Sequence, residues 1–68
     1  MRKELGQRIK KLREDKVLSI YQMSKMLKVS PKSIASWENG KVSVRLENII
    51  KLVYFFEVSV DFLLGLKD

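Results

Sequence analysis

The sequence predicts an all-α fold, one domain of about five short helices over residues 1–68. Three observations predict it. Apolar residues recur three and four apart, the helical period, as in Leu5, Ile9 and Leu12. Serines and glycines stand where helices start and stop. Val42-Ser43-Val44 alternates like a strand but is too short to pair alone, so it reads as an extended loop.

The first helix runs from about Arg2 to Asp15, with Leu5, Ile9 and Leu12 on one stripe and its charges mostly off it. Ser19 opens the second as an N-cap, and Gln22, three residues on, completes a capping box. Met23 and Leu27, four apart, form its inward face. Ser30 opens the third, with Pro31 at the first helical position, where a missing N–H costs nothing. Ile34 and Trp37 point one way, and Gly40 stops this helix in the left-handed conformation. A hairpin turn at Asn39-Gly40 is the alternative, but the spacing of Ile34 and Trp37 is three, not two. The fourth helix spans about Leu46 to Phe56, with Leu46, Ile49, Ile50, Leu52, Val53 and Phe56 expected inward. The fifth opens at Ser59, carries Asp61 where the helix dipole favours an anion, and stops at Gly65.

Composition narrows the function. The chain has 14 Lys and Arg against 8 Asp and Glu, no His and no Cys, for a net charge of +6. Twelve of the basic residues and four of the acids fall in residues 1–45, which suggests a basic face for a polyanion. Without His or Cys there is no Ser-His dyad, no thiol nucleophile and no zinc site of the usual donor types. Neither G-x-x-x-x-G-K-[ST] nor G-x-G-x-x-G occurs. A chain of 68 residues has little room for a deep substrate pocket. No enzyme, no cofactor, no catalytic or metal residue and no small-molecule ligand is therefore expected. No apolar run reaches the ~18 residues of a membrane span, and no apolar signal core follows the basic Met1-Arg2-Lys3. A cytoplasmic protein with no membrane partner is expected.

The informative segment is residues 18–40, LSIYQMSKMLKVSPKSIASWENG. It reads as helix, short turn, helix, a pair whose second member can enter a DNA major groove. Around it stand Leu5-Gly6-Gln7-Arg8-Ile9, Leu12-Arg13, Leu18-Ser19, Val29-Ser30, Ile34-Ala35-Ser36-Trp37-Glu38-Asn39-Gly40-Lys41 and Val58-Ser59-Val60-Asp61-Phe62-Leu63-Leu64-Gly65. In order and spacing these pieces resemble the lambda-repressor-like, Cro and Xre type helix-turn-helix family of bacterial and phage repressors, over about residues 5–66. The resemblance implies five helices around one core, with the third as recognition helix, and a protein working at the bacterial nucleoid.

On a helical wheel Lys32, Ser36 and Asn39 fall opposite Ile34 and Trp37. Pro31 and Ser33 lie at the helix start, from which base edges are often reached. Pro31, Lys32, Ser33 and Ser36 are thus the candidate base contacts: Lys32 to guanine or phosphate, Ser36 with little discrimination, Pro31 to a thymine methyl. The resemblance implies phosphate contacts from the start of the second helix and the loop after the third, here Ser19, Asn39, Lys41, Ser43 and Arg45. It also implies a partly buried ion pair between Arg13 and Glu38 orienting the third helix on the first. Trp37 is read as a core anchor.

The chain departs from the family pattern in several places. Ile20 stands where Gln usually follows the Ser, Lys28 where the turn often has Gly, and Val44 where Pro often precedes the fourth helix. Lys28 is then expected at positive φ. The third helix lacks the Gln and Arg that read adenine and guanine bidentately. Tyr54 and Phe55 replace residues that are often Lys and Ala, and with Leu66 they form a possible dimer surface. The reading is a double-stranded DNA-binding transcriptional regulator, a repressor acting as a homodimer on a palindromic operator. Its rival is a protein-interaction module, an antitoxin or regulator whose apolar Ile20, Tyr21, Met26, Tyr54 and Phe55 bind a partner protein.

Overall fold

The computed structural model describes residues 2–66. Five helices follow in order: α1 (Arg2–Asp15), α2 (Ile20–Leu27), α3 (Pro31–Glu38), α4 (Leu46–Phe56) and α5 (Val60–Leu64). Residues 42–44 form no strand and serve as an extended connection. Among the described residues no helix is long and apolar enough to cross a membrane.

The helix starts follow their caps. The Ser19 and Gln22 capping box forms in both directions, with the Gln22 N–H on the Ser19 hydroxyl (3.0 Å) and the Ser19 N–H on Gln22 Oε1 (2.8 Å). Ser30 and Ser59 accept from the N–H groups of Ser33 and Phe62. The ends turn through left-handed residues: Lys28 at φ 60°, as expected from its place in the turn, and Glu57 at φ 57°. Gly40 is left-handed at φ 69°, just after the Asn39 C-cap.

One core joins all five helices: Leu5 and Ile9 from α1, Met23 and Leu27 from α2, Ile34 and Trp37 from α3, Ile49, Leu52 and Phe56 from α4, and Leu63 from α5. Of the other residues expected inward, Leu12 and Val53 lie partly buried against this core, and two lie outside it. Leu46 and Ile50 are exposed, because Ile49, Leu52 and Phe56 occupy the arc of α4 that meets the core. With Tyr54, Leu46 and Ile50 instead form an outward stripe four residues apart.

α1 packs on α3 and α5, α2 on α3 and α4, and α4 on α5. The α1–α3 seam is closed by a backbone approach at Gly6. A β-carbon there would lie 2.2 Å from the Trp37 carbonyl oxygen and 2.8 Å from that of Glu38. The end of α3 thus rests on α1 where no other residue type fits. Further along the seam, Gly40 lies against the Lys3 backbone.

Candidate nucleic-acid interface

α3 has eight residues, too few to hold a helix in water by themselves. Its position comes from what grips it. Ile34 and Trp37 anchor its inner face in the core. Its C-terminal end is fixed by the ion pair expected from the resemblance: Arg13 Nε donates to Glu38 Oε2 at 2.7 Å and Nη2 to Oε1 at 3.1 Å. Arg13 Nη1 also donates to the Leu18 carbonyl at 2.7 Å, tying the α1–α2 turn to the same group. The two side chains are 11% and 5% exposed, so the pair is a fixed strut rather than a solvated contact. Hydrogen bonding to Glu38 raises the Arg13 pKa above its ordinary value against the opposing effect of burial, so the guanidinium stays charged.

The opposite side of α3 faces out. Pro31 and Lys32 are exposed, and Ser33 and Ser36 are half-buried. Ser33 shares a 2.9 Å hydrogen bond with the Ser30 hydroxyl, which occupies part of its capacity. Among the described residues, Glu38 is the only acid between positions 30 and 45, and Arg13 neutralises it. The face therefore carries Lys32, Lys41 and Arg45 uncompensated, which suits a polyanion.

The five phosphate candidates lie in two segments, the start of α2 and the loop after α3. Ser19 is exposed at the start of α2. Its N–H is taken by Gln22, which leaves its hydroxyl proton and the first-turn N–H groups of Ile20 and Tyr21 for an outside acceptor. Asn39, Lys41, Ser43 and Arg45 are all exposed in the loop after α3. Gly40 reverses the chain there, and the Lys41 N–H returns to the Ser36 carbonyl (3.1 Å), so the loop folds back along α3. Arg45 is the N-cap of α4 and makes no side-chain cap, so the first N–H groups of α4 stay open beside a cation.

The possible dimer residues separate. Tyr54 and Leu66 are exposed. Phe55 is half-buried against the core, edge-on to Phe56 with ring centres 5.0 Å apart, and the Lys16 ammonium lies 5.8 Å from its ring centre. Tyr21 is exposed beside Lys25, whose ammonium sits 4.8 Å from its ring centre.

A helix-turn-helix family model matches residues 9–63, most of the chain. The chain belongs to the Cro and Xre type helix-turn-helix family. This family is non-enzymatic and binds DNA, and the chain is a DNA-binding transcriptional regulator. The crystal structure of the clp gene regulator ClgR from C. glutamicum superposes with a TM-score of 0.82 at 25% identity, over 94% of this chain and 83% of that one. A comparison with curated proteins gives no match. For a helix-turn-helix regulator, α2 and α3 are the motif.

Two features of the interface had little signal in the sequence. The Gly6 approach was hidden because a glycine inside a helix reads only as a weak helix former. Val42 stands beside α3 with Ser30, Lys32, Ser33, Ser36 and Trp37 around one hollow. The short Val42-Ser43-Val44 run pointed to an extended loop but not to this neighbour.

Proposed function

We propose that the chain is a repressor that occupies a palindromic operator as a homodimer, with α3 in the major groove. Pro31, Lys32, Ser33 and Ser36 contact bases, and Ser19, Asn39, Lys41, Ser43 and Arg45 hold phosphates. The observation that carries this reading is the row Lys32, Ser33 and Ser36 on an eight-residue helix whose far end is locked by the Arg13–Glu38 pair. A rigid, cation-bearing helix beside flanking donors is suited to base contact on a phosphate frame. Affinity comes mainly from the phosphates and preference from α3. The ClgR likeness supports a role in gene control. Tyr54, Leu66 and the edge of Phe55 are the dimer surface, and two copies related by a twofold axis match two half-sites one helical turn apart.

The second reading, docking to a partner protein, is favoured by the exposed row Leu46, Ile50 and Tyr54 on α4. One experiment separates the two. Random duplexes are selected on the purified chain, and binding is repeated across salt. An enriched palindrome with affinity falling as salt rises supports the operator reading. Enrichment of no sequence, with the same salt response, leaves a non-specific binder. Failure to bind at low salt would overturn the DNA-centred reading and favour the protein partner.

A further inference from the structure

We propose that Val42 is a base-reading residue that takes the 5-methyl group of a thymine. This rests on the operator reading above and adds a contact from outside α3. Val42 is 45% exposed, although it borders a hollow whose other exposed or half-buried side chains are Ser30, Lys32, Ser33 and Ser36. Its position is set by the chain: Gly40 turns left-handed, the Lys41 N–H closes on the Ser36 carbonyl, and Val42 is delivered to the side of α3. There it borders a hollow of about 270 Å³ shared with Lys32, Ser33 and Ser36, with Trp37 also in the wall. Trp37 is 5% exposed and held by the core, so that wall is rigid.

The chemistry of the groove selects the ligand. Base edges in the major groove offer hydrogen-bonding atoms, and the thymine methyl is their one apolar group. The polar side chains of the hollow have uses there: among the described residues Lys32 and Ser36 make no side-chain hydrogen bond and can meet base acceptors. A half-exposed valine can meet none of these atoms. It gains only by covering an apolar group, and a methyl group is what the groove supplies. Lys41, one residue before, holds the neighbouring phosphate, so the loop contributes a positioning contact and a base contact side by side.

The test uses a duplex enriched by the selection described above. Each thymine is replaced singly by deoxyuridine, which removes the methyl and nothing else. Affinity is measured for the unmodified chain and for Val42→Ala. At one thymine per half-site, loss of the methyl should weaken the unmodified chain about fourfold, the factor expected for ~0.8 kcal/mol per buried methyl. The same replacement should leave Val42→Ala unchanged. If no thymine shows this coupling, or if the coupling follows Ser36→Ala instead, the proposal is overturned while operator binding stands. If no duplex is enriched, the operator reading fails and the proposal with it. The scan on the unmodified chain does not depend on the variant's folding.

Discussion

Gly6→Ala tests the α1–α3 seam, because two effects oppose each other there. Helix propensity favours alanine over glycine by ~1 kcal/mol inside a helix. The seam opposes it. The new β-carbon would stand 2.2 Å from the Trp37 carbonyl oxygen, where ordinary contact begins at 3.4 Å, so α1 and the end of α3 must part by about 1 Å. Overpacking of this kind costs ~1–3 kcal/mol, and a gap of that size forfeits a quarter to a half of each dispersion contact across the seam. Leu5 and Ile9 of α1 share that core with Ile34 and Trp37 of α3. The Trp37 carbonyl also accepts the Gly40 N–H at 3.1 Å, and the displacement strains that bond too. The seam should win, with a net loss of about 2 kcal/mol. For a domain of this size that lowers the melting midpoint by ~8–16 °C. Circular dichroism melting of Gly6→Ala beside Gln7→Ala, an exposed neighbour expected to shift little, measures it. A Gly6→Ala chain as stable as the original would show that the two backbones do not need glycine between them.

Other expectations follow from single contacts. Glu38→Ala should cost roughly 3 kcal/mol by leaving Arg13 without its partner, and an unchanged urea midpoint would contradict it. The raised Arg13 pKa means its contribution is fully present below the ordinary arginine value and lost only as pH rises through the folded one. Stability owed to this pair should therefore stay flat from neutral to mildly alkaline pH. Val17 is 86% exposed yet holds φ 58°, where a β-branched residue is strained by ~1–2 kcal/mol. Val17→Gly should therefore raise the midpoint despite the greater freedom of an unfolded glycine; a lowered midpoint would refute this. Lys32→Ala should weaken a selected site by more than random DNA if Lys32 reads a base, and equal losses would assign it to a phosphate.

The helices were readable in the sequence because each carries its own punctuation. Ser19, Ser30 and Ser59 cap by local hydrogen bonds, and Gly40 and Gly65 stop by local conformation. The core of α4 was only partly readable. Its apolar stripe is wider than the arc that α2 and α5 cover, and sequence periodicity cannot say which edge of a wide stripe stays dry. Hence Leu46 and Ile50 were expected inside and lie outside. The left-handed Val17 and Glu57 had no signal, since neither residue type favours that conformation; the turns that end α1 and α4 impose it, with the Leu18 N–H on the Arg13 carbonyl and the Val58 N–H on the Val53 carbonyl. Of the interface, the α3 row was visible as a helical face. Gly6 and Val42 were not, because each acquires its meaning from a segment of chain that the fold brings alongside it.

The response to salt can decide how the interface holds its polyanion, because the proposed phosphate contacts are of two kinds. Ser19, Asn39 and Ser43 are neutral, so they add affinity without releasing counterions. Lys41 and Arg45 are charged, and each should contribute about −0.9 to the slope of log affinity against log salt. One bound protomer should then show a slope near −2, and a twofold pair near −4. Lys32 on a phosphate would add about one further unit per protomer. Lys41→Ala should make the slope shallower by about one unit per protomer, whereas Asn39→Ala should weaken binding at constant slope. A slope that Lys41→Ala leaves unchanged would remove Lys41 from the phosphate frame. A slope well beyond −6 would bring in cations outside the proposed set. Arg2 and Lys3, whose backbones lie beside Gly40 at the same end of α3, are the nearest to supply them.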